Sequence, residues 1–185
     1  MPELPEVQTT VTYLHTYLPG HTITNVLTDL YINTKNKQKD TLKNKAYFSY
    51  FKKEITGKKI TEVARRGKNI LIKLQNENVI LVHMKLTGHL LLGSYIQNKK
   101  GWFPQDSASA LANPKSRFIH VVFTLKDQKK KISHLALSDA RKFAKITLIK
   151  KDEFDQSIHL LRLGSEILES SFTKMKFKTA LLRRP

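Results

Sequence analysis

Pro2 and Glu3 are the residues best suited to chemistry, and they lie in the opening run Met1-Pro2-Glu3-Leu4-Pro5-Glu6-Val7. Removal of Met1 leaves Pro2 as a terminal secondary amine. An α-amino group titrates near ~8 and a lysine near ~10.4, so at neutral pH such a terminus offers roughly a hundredfold more neutral amine than a lysine. That amine suits imine chemistry on a sugar carbon at the aldehyde level. Glu3 beside it suits a proton shuttle, and Glu6, one helical turn on, is placed to fix the geometry of the end. The same residues also suit a plain helix start, with Pro5 in the first turn and carboxylates at the positive end of the dipole.

Few other residues compete for a chemical role. Lys68 follows Gly67 at the mouth of a predicted hairpin, where a compact ammonium could approach a phosphate. His83 and His120 fall on predicted strands, and the strand setting favours satisfied structural histidines. Tyr47, Tyr50 and Phe51 have helical spacing and read as core. The seven histidines show no metal-ligand spacing, and the absence of cysteine excludes disulfides and thiolate metal sites, so no metal or cofactor is expected.

The elements that must position these residues fit in 185 residues with 40% hydrophobic content, enough for one sizeable core. Thirty-three Lys+Arg against fifteen Asp+Glu give a formal net charge of +18, more than solubility needs, which points to a polyanion. No apolar run approaches the ~20 residues of a membrane span and no signal-like segment follows Met1, so a cytoplasmic protein is expected, nucleoid-associated if the polyanion is DNA, with a monomer as the default. Val7, Val11, Leu14 and Leu18 recur at helical steps until Pro19-Gly20, predicting a helix over 5–18. A strand over 22–31 precedes a lysine-rich stretch, Thr34 to Lys45, that reads as exposed loop or a solvated helix end.

Short runs rich in branched residues then follow at 60–64, 70–74, 79–84, 89–92, 118–125, 132–137 and 144–149, with a turn at Gln75 to Asn78. The Gly-, Ser-, Asn- and Pro-containing stretch from Asn98 to Ser116 reads as a long mobile surface loop. Phe154 to Leu163 and Phe172 to Leu182 read as helices. The expected fold is α+β and mainly β: an antiparallel β-sandwich flanked by an N-terminal helix, then the start of a helical segment. Residues 1–150 would form the sandwich domain and 151–185 the helical part. The last helix leaves Phe172, Met175, Phe177 and Leu181 without anything after it to pack against, as though the chain were cut short.

Five runs in one order give a resemblance: M-P-E-L-P-E-V, R-R-G-K at Arg65 to Lys68, H-M-K-L-T-G-H-L at His83 to Leu90, D-A-R-K-F at Asp139 to Phe143, and L-G-S-E at Leu163 to Glu166. Together they resemble formamidopyrimidine-DNA glycosylases, which excise oxidised purines in base excision repair. The resemblance covers the family's N-terminal catalytic domain and the opening of its helix-two-turn-helix module. The rest of that module and the four-cysteine zinc finger have no counterpart.

The resemblance implies a bifunctional glycosylase and abasic-site lyase acting on double-stranded damaged DNA that contains 8-oxoguanine or formamidopyrimidines. Pro2 would attack C1′, expel the base and hold a covalent imine; Glu3 would move protons, with Glu6 and Lys68 completing the catalytic set. Both flanking phosphates would leave by β,δ-elimination. A stacked base must be flipped out and the gap filled. The resemblance assigns that plug to Leu86, where the family generally has methionine, with Arg141 and Phe143, and puts His120 close to bound DNA. Ala140, Lys142 and Ala144 depart from the family's proline, arginine and glycine. The alternative is a damaged-DNA-binding remnant without turnover.

Overall fold

The computed structural model describes residues 2–30, 41–161, 163–166 and 169–182. Met1, Tyr31 at the end of the predicted first strand, Thr34 to Asp40 of the lysine-rich stretch, and Arg183 to Pro185 lie outside them. A helix α1, Leu4–Tyr17, has Pro5 in its first turn and buries Val7, Val11 and Leu14 along one stripe, as its spacing predicts. A second helix, α2, Lys45–Ile55, is capped by Asn44, whose side chain accepts from the Ala46 and Tyr47 amides. It buries Phe48, Phe51 and Ile55.

Among the described residues ten strands run in the order β1 Thr22–Thr28, which precedes α2, then β2 Ile60–Arg66, β3 Asn69–Leu74, β4 Val79–His83, β5 Gly88–Gly93, β6 Tyr95–Asn98, β7 Gly101–Pro104, β8 Ile119–Lys126, β9 Ile132–Asp139 and β10 Lys145–Ile149. One antiparallel sheet has the order β1-β8-β9-β5 and the other β10-β4-β3-β2. Val26, Phe123, Leu125, Leu135 and Leu137 of the first pack with Ile70, Ile72, Ile80, Val82 and Ile146 of the second, and both helices join that core. This is the expected sandwich with its N-terminal helix.

Two expectations need correction. The stretch 98–116 is not a bare surface loop: Gly101–Pro104 pairs with Tyr95–Asn98 as a hairpin, followed by two short 3-10 turns. Trp102 and Leu111 pack on Tyr95, Ile119, Val122 and Ala136, covering the outer face of the first sheet. Phe154 to Leu163 is not one helix either, but a 3-10 turn at Lys151–Glu153 and a four-residue helix α3, Ile158–Leu161. Phe154 and Leu160 cover Leu71, Val79, Leu81 and Ile149 on the outer face of the second sheet. With covers on both outer faces, β3 and β4 are buried on both sides and read as continuous apolar runs rather than alternating ones. The last helix, α4, is Lys174–Leu182, and no residue of it is buried. Among the described residues no helix is long and apolar enough to cross a membrane.

Candidate functional site

One end of the sandwich gathers most of the candidate residues. Glu3 stands just before α1, and its backbone N–H donates to Glu6 Oε2 at 3.0 Å. Glu6 therefore fixes the entry to the helix, as in a capping box, and the Glu3 carboxylate stays 65% exposed. The β2–β3 hairpin turns in two residues, with Arg66 paired to Asn69. Gly67 occupies φ +56°, the conformation the first central position of a type II′ turn demands. The turn presents Lys68, whose Nζ lies 3.9 Å from Glu3 Oε1. Lys68 and Leu4 line a cleft of about 530 Å³, so Glu3, next in sequence to Pro2 and held by Glu6, stands at its lip.

Two further anchors hold the lip. Arg65 Nε donates to Gln8 Oε1 of α1 at 2.7 Å, tying the helix to the hairpin. Glu166, with its side chain 7% exposed, accepts from the Gly67 amide and pairs with Arg65 at 2.6 Å and Arg66 at 3.2 Å. Burial alone would raise its pKa; the Gly67 amide and the two guanidiniums outweigh that and hold it below the ordinary carboxylate value. The L-G-S-E run is therefore the clamp on the R-R-G-K turn, with Leu163 lying over Gly67. A Cβ on Gly67 would meet the Leu163 side chain at 3.3 Å.

The cleft itself is cationic. Lys68, Lys85 and Lys145 line it around His83. Burial first, then those three ammonium groups, lower the His83 pKa to about 4, so the ring is neutral at pH 7. The Lys85 amide donates to His83 Nδ1 at 3.1 Å, which leaves the ring hydrogen on Nε2. A strand position suggested only a structural histidine. The ring meets that description at Nδ1, yet it also lines the cleft, and only the pairing of His83 with both Asn69 and Lys145 reveals this.

Leu86, Arg141 and Phe143 come from two loops that are pinned together. In the β4–β5 turn, Gly88 N–H donates to the Met84 carbonyl at 3.0 Å, and a Cβ at Gly88 would strike that same oxygen. In the β9–β10 turn, Asp139 is buried, and its carboxylate accepts from the Arg141 amide at 3.2 Å and the Ala144 amide at 2.7 Å. Asp139 also accepts from the Thr87 hydroxyl, whose oxygen in turn receives the Arg141 amide, joining the loops. Phe143 is 45% exposed, which excludes the core alternative, and the Arg141 guanidinium stacks 4.7 Å from its ring centre. Leu86 is half-buried and directly precedes Thr87.

Sequence patterns did not single out Asp139 as a positioning residue. Asp139→Ala is expected to leave buried amide donors unpaired at a cost of about 1–3 kcal/mol. Denaturant unfolding should report that loss, and amide exchange at Arg141 and Ala144 should rise.

His120 sits at the start of β8, and its Nδ1 approaches both Asp29 carboxylate oxygens, at 2.8 and 3.0 Å. Its side chain is 11% exposed. It is on the same end of the first sheet as Arg141, because β8 enters where Ile119 pairs with Ser138, next to Asp139, whereas Lys68 belongs to a turn of the other sheet. Among the described residues, no three His, Cys, Asp or Glu are grouped so as to hold a metal ion.

Residues 1–146 match the family model of the formamidopyrimidine-DNA glycosylase N-terminal domain. A formamidopyrimidine-DNA glycosylase of Pelotomaculum thermopropionicum is 34% identical over 184 residues, and one of Streptococcus pyogenes is 31% identical over 182. These alignments cover 100% and 98% of this chain but 56% and 55% of the relatives, so the chain spans little more than half their length. The Lactococcus lactis enzyme bound to DNA with an N7-benzyl-Fapy-dG lesion superposes with a TM-score of 0.70 at 24% identity, over 98% of this chain and 56% of that one. The same enzyme with abasic-site DNA gives a TM-score of 0.70 at 24% identity over 98% and 57%. At that identity the solved structures speak to the fold, which they share. The match over residues 1–146 decides the rest: the chain belongs to the formamidopyrimidine-DNA glycosylase family.

Proposed function

We propose that the chain is a bifunctional DNA glycosylase and abasic-site lyase acting on oxidised purines in duplex DNA. The observation that carries this reading is the Glu3 to Lys68 approach of 3.9 Å beside Pro2, at the lip of a cationic cleft. In this reading the Pro2 nitrogen attacks C1′ as the C1′–N bond to the base breaks, and Glu3 supplies the proton that opens the sugar ring. Glu6 acts by holding Glu3 in place, and Lys68 takes the phosphate next to the lesion. Neutral His83, with its hydrogen on Nε2, adds an uncharged donor to the same phosphate. The imine then makes the neighbouring C2′ proton acidic, and loss of the 3′ and then the 5′ phosphate follows by β,δ-elimination.

Phe143 and Leu86 would fill the gap left by the flipped nucleotide and Arg141 would bond the orphaned base. Support comes from their position on two exposed turns locked to each other through Asp139. His120, held by Asp29, would meet the backbone nearby. Residues 1–150 are read as the catalytic unit. Residues 151–185 are read as the opening of a helical module, a division favoured by the exposure of Met175, Phe177 and Leu182.

Borohydride trapping on an 8-oxoguanine duplex tests the reading. The chain is expected to form a covalent adduct that disappears in Pro2→Gly. Tight duplex binding with no adduct in the unaltered chain would instead support DNA binding without turnover. Mass spectrometry of the terminus belongs with the assay, because a retained Met1 blocks the amine.

A further inference from the structure

The end of the sandwich farthest from the cleft carries a second concentration of positive charge. Thr22 pairs with Lys59 on one side and Lys126 on the other, and Lys126 pairs with Ile132, so four strand positions stand side by side. Strand spacing makes that row about 14 Å wide. The turn between β8 and β9 adds Lys129, Lys130 and Lys131. Lys59, Lys126 and these three are all exposed, and among the described residues none of the five forms an ion pair. The one carboxylate in the turn, Asp127, is engaged by the Lys131 amide at 2.8 Å. Lys130 takes φ +66° and closes the turn.

Among the described residues the ammonium groups of this row pair with no acid and repel one another, so the fold gains nothing from them. Its position decides what it suits. From Lys126 to Ile119, which lies beside the Asp139 to Phe143 loop, is seven strand steps, about 23 Å. DNA has a persistence length of about 150 base pairs, so a duplex seated across the cleft end does not fold back to the opposite end. A flat row of ammonium groups matches a phosphate backbone. An anionic membrane would also want an apolar wedge, and Ile132, 58% exposed, is the one large apolar side chain in the row.

We propose that this lysine row is a second, non-catalytic site for the backbone of duplex DNA, so that one molecule holds two duplexes at once. The count of two rests on the reading of the cleft end as a DNA site, and not on the imine chemistry. A protein built this way passes between DNA segments without first falling free.

The test is a titration of the full chain with a short undamaged duplex at low salt, with stoichiometry read by sedimentation. The unaltered chain is expected to take up two duplexes and the variant Lys59→Glu/Lys126→Glu/Lys129→Glu/Lys131→Glu one, with the fold intact by circular dichroism. Lys68→Gln/Arg141→Gln should also take up one, this remaining site should show about 3–4 units of log–log salt slope from the four lysines, and replacing them as well should abolish it. Borohydride trapping should be unchanged in the quadruple variant. Equal uptake by the quadruple variant and the unaltered chain overturns the proposal. So does binding to phosphatidylserine/phosphatidylcholine vesicles that needs the four lysines under conditions where no second duplex binds. Two duplexes bound by a chain that gives no trapped adduct would sink the glycosylase reading and leave this one standing.

Discussion

Glu3→Gln is expected to lower single-turnover release of 8-oxoguanine by 10²- to 10⁴-fold, the range for removing a positioned general acid or base. The loss should separate from the amine's own chemistry. Glutamine is close in size to glutamate and keeps an oxygen near Lys68 Nζ, so the 3.9 Å approach and the entry to α1, which depends on Glu6 and the Glu3 backbone, are preserved. The Pro2 nitrogen is untouched. On a duplex that already carries an abasic site, no base has to leave and the sugar opens spontaneously to the aldehyde that the amine captures, so borohydride should still trap the variant. An equal fall in trapping on both substrates would mean that Glu3 serves only to place Pro2. Glu6→Gln keeps an acceptor for the Glu3 amide and should cost far less, because Glu6 touches the chain end and not the cleft.

What was legible in the sequence follows from how far each contact reaches along the chain. α1 is a local pattern: Pro5 sits in its first turn, apolar residues keep to one stripe, and Pro19-Gly20 ends it. The Gly67-Lys68 turn is equally local, because φ +56° asks for glycine. The supports of the site are not local. Thr87 reaches Asp139 across 52 positions, and Glu166 reaches Gly67 across 99, distances at which no periodicity carries a signal. The two misread segments share a cause. Trp102 and Leu111 in one, and Phe154 and Leu160 in the other, are apolar because they cover outer sheet faces, and turn-rich or helix-like neighbours hide that use. Phe143 is the opposite case. An apolar residue beside a strand suits a core as well as a surface, and only its exposure at the tip of a pinned loop tells them apart.

Glu166→Ala should be the most destabilising single change at the site. It strips the partner from Arg65, whose side chain is 8% exposed, and from the Gly67 amide. Breaking a buried pair costs about 3–5 kcal/mol, and Arg65 keeps the Gln8 oxygen and the Gly67 carbonyl, so a value of about 3 is expected. For a chain of this length that is roughly 6–12 °C in Tm. The pH dependence gives a second, independent readout. A carboxylate whose pKa is lowered by folding adds stability that is complete above its unfolded value, near ~4.3, and is lost as pH falls through the folded value. His83 works in a separate window: with its pKa lowered from 6.5 to about 4, the unfolded chain binds the extra proton between those values, so stability already declines as pH drops below 6.5. Glu166→Ala should remove its share of the decline below about pH 4.3 and leave the histidine decline intact, whereas His83→Gln should leave the lower decline and shrink the one below 6.5, of which His134, also lowered by burial, keeps a part. A variant that loses Tm but keeps the unaltered acid slope would show that Glu166 contributes packing alone. In that event the Arg65 and Arg66 pairs would not be what holds Lys68 in front of Glu3.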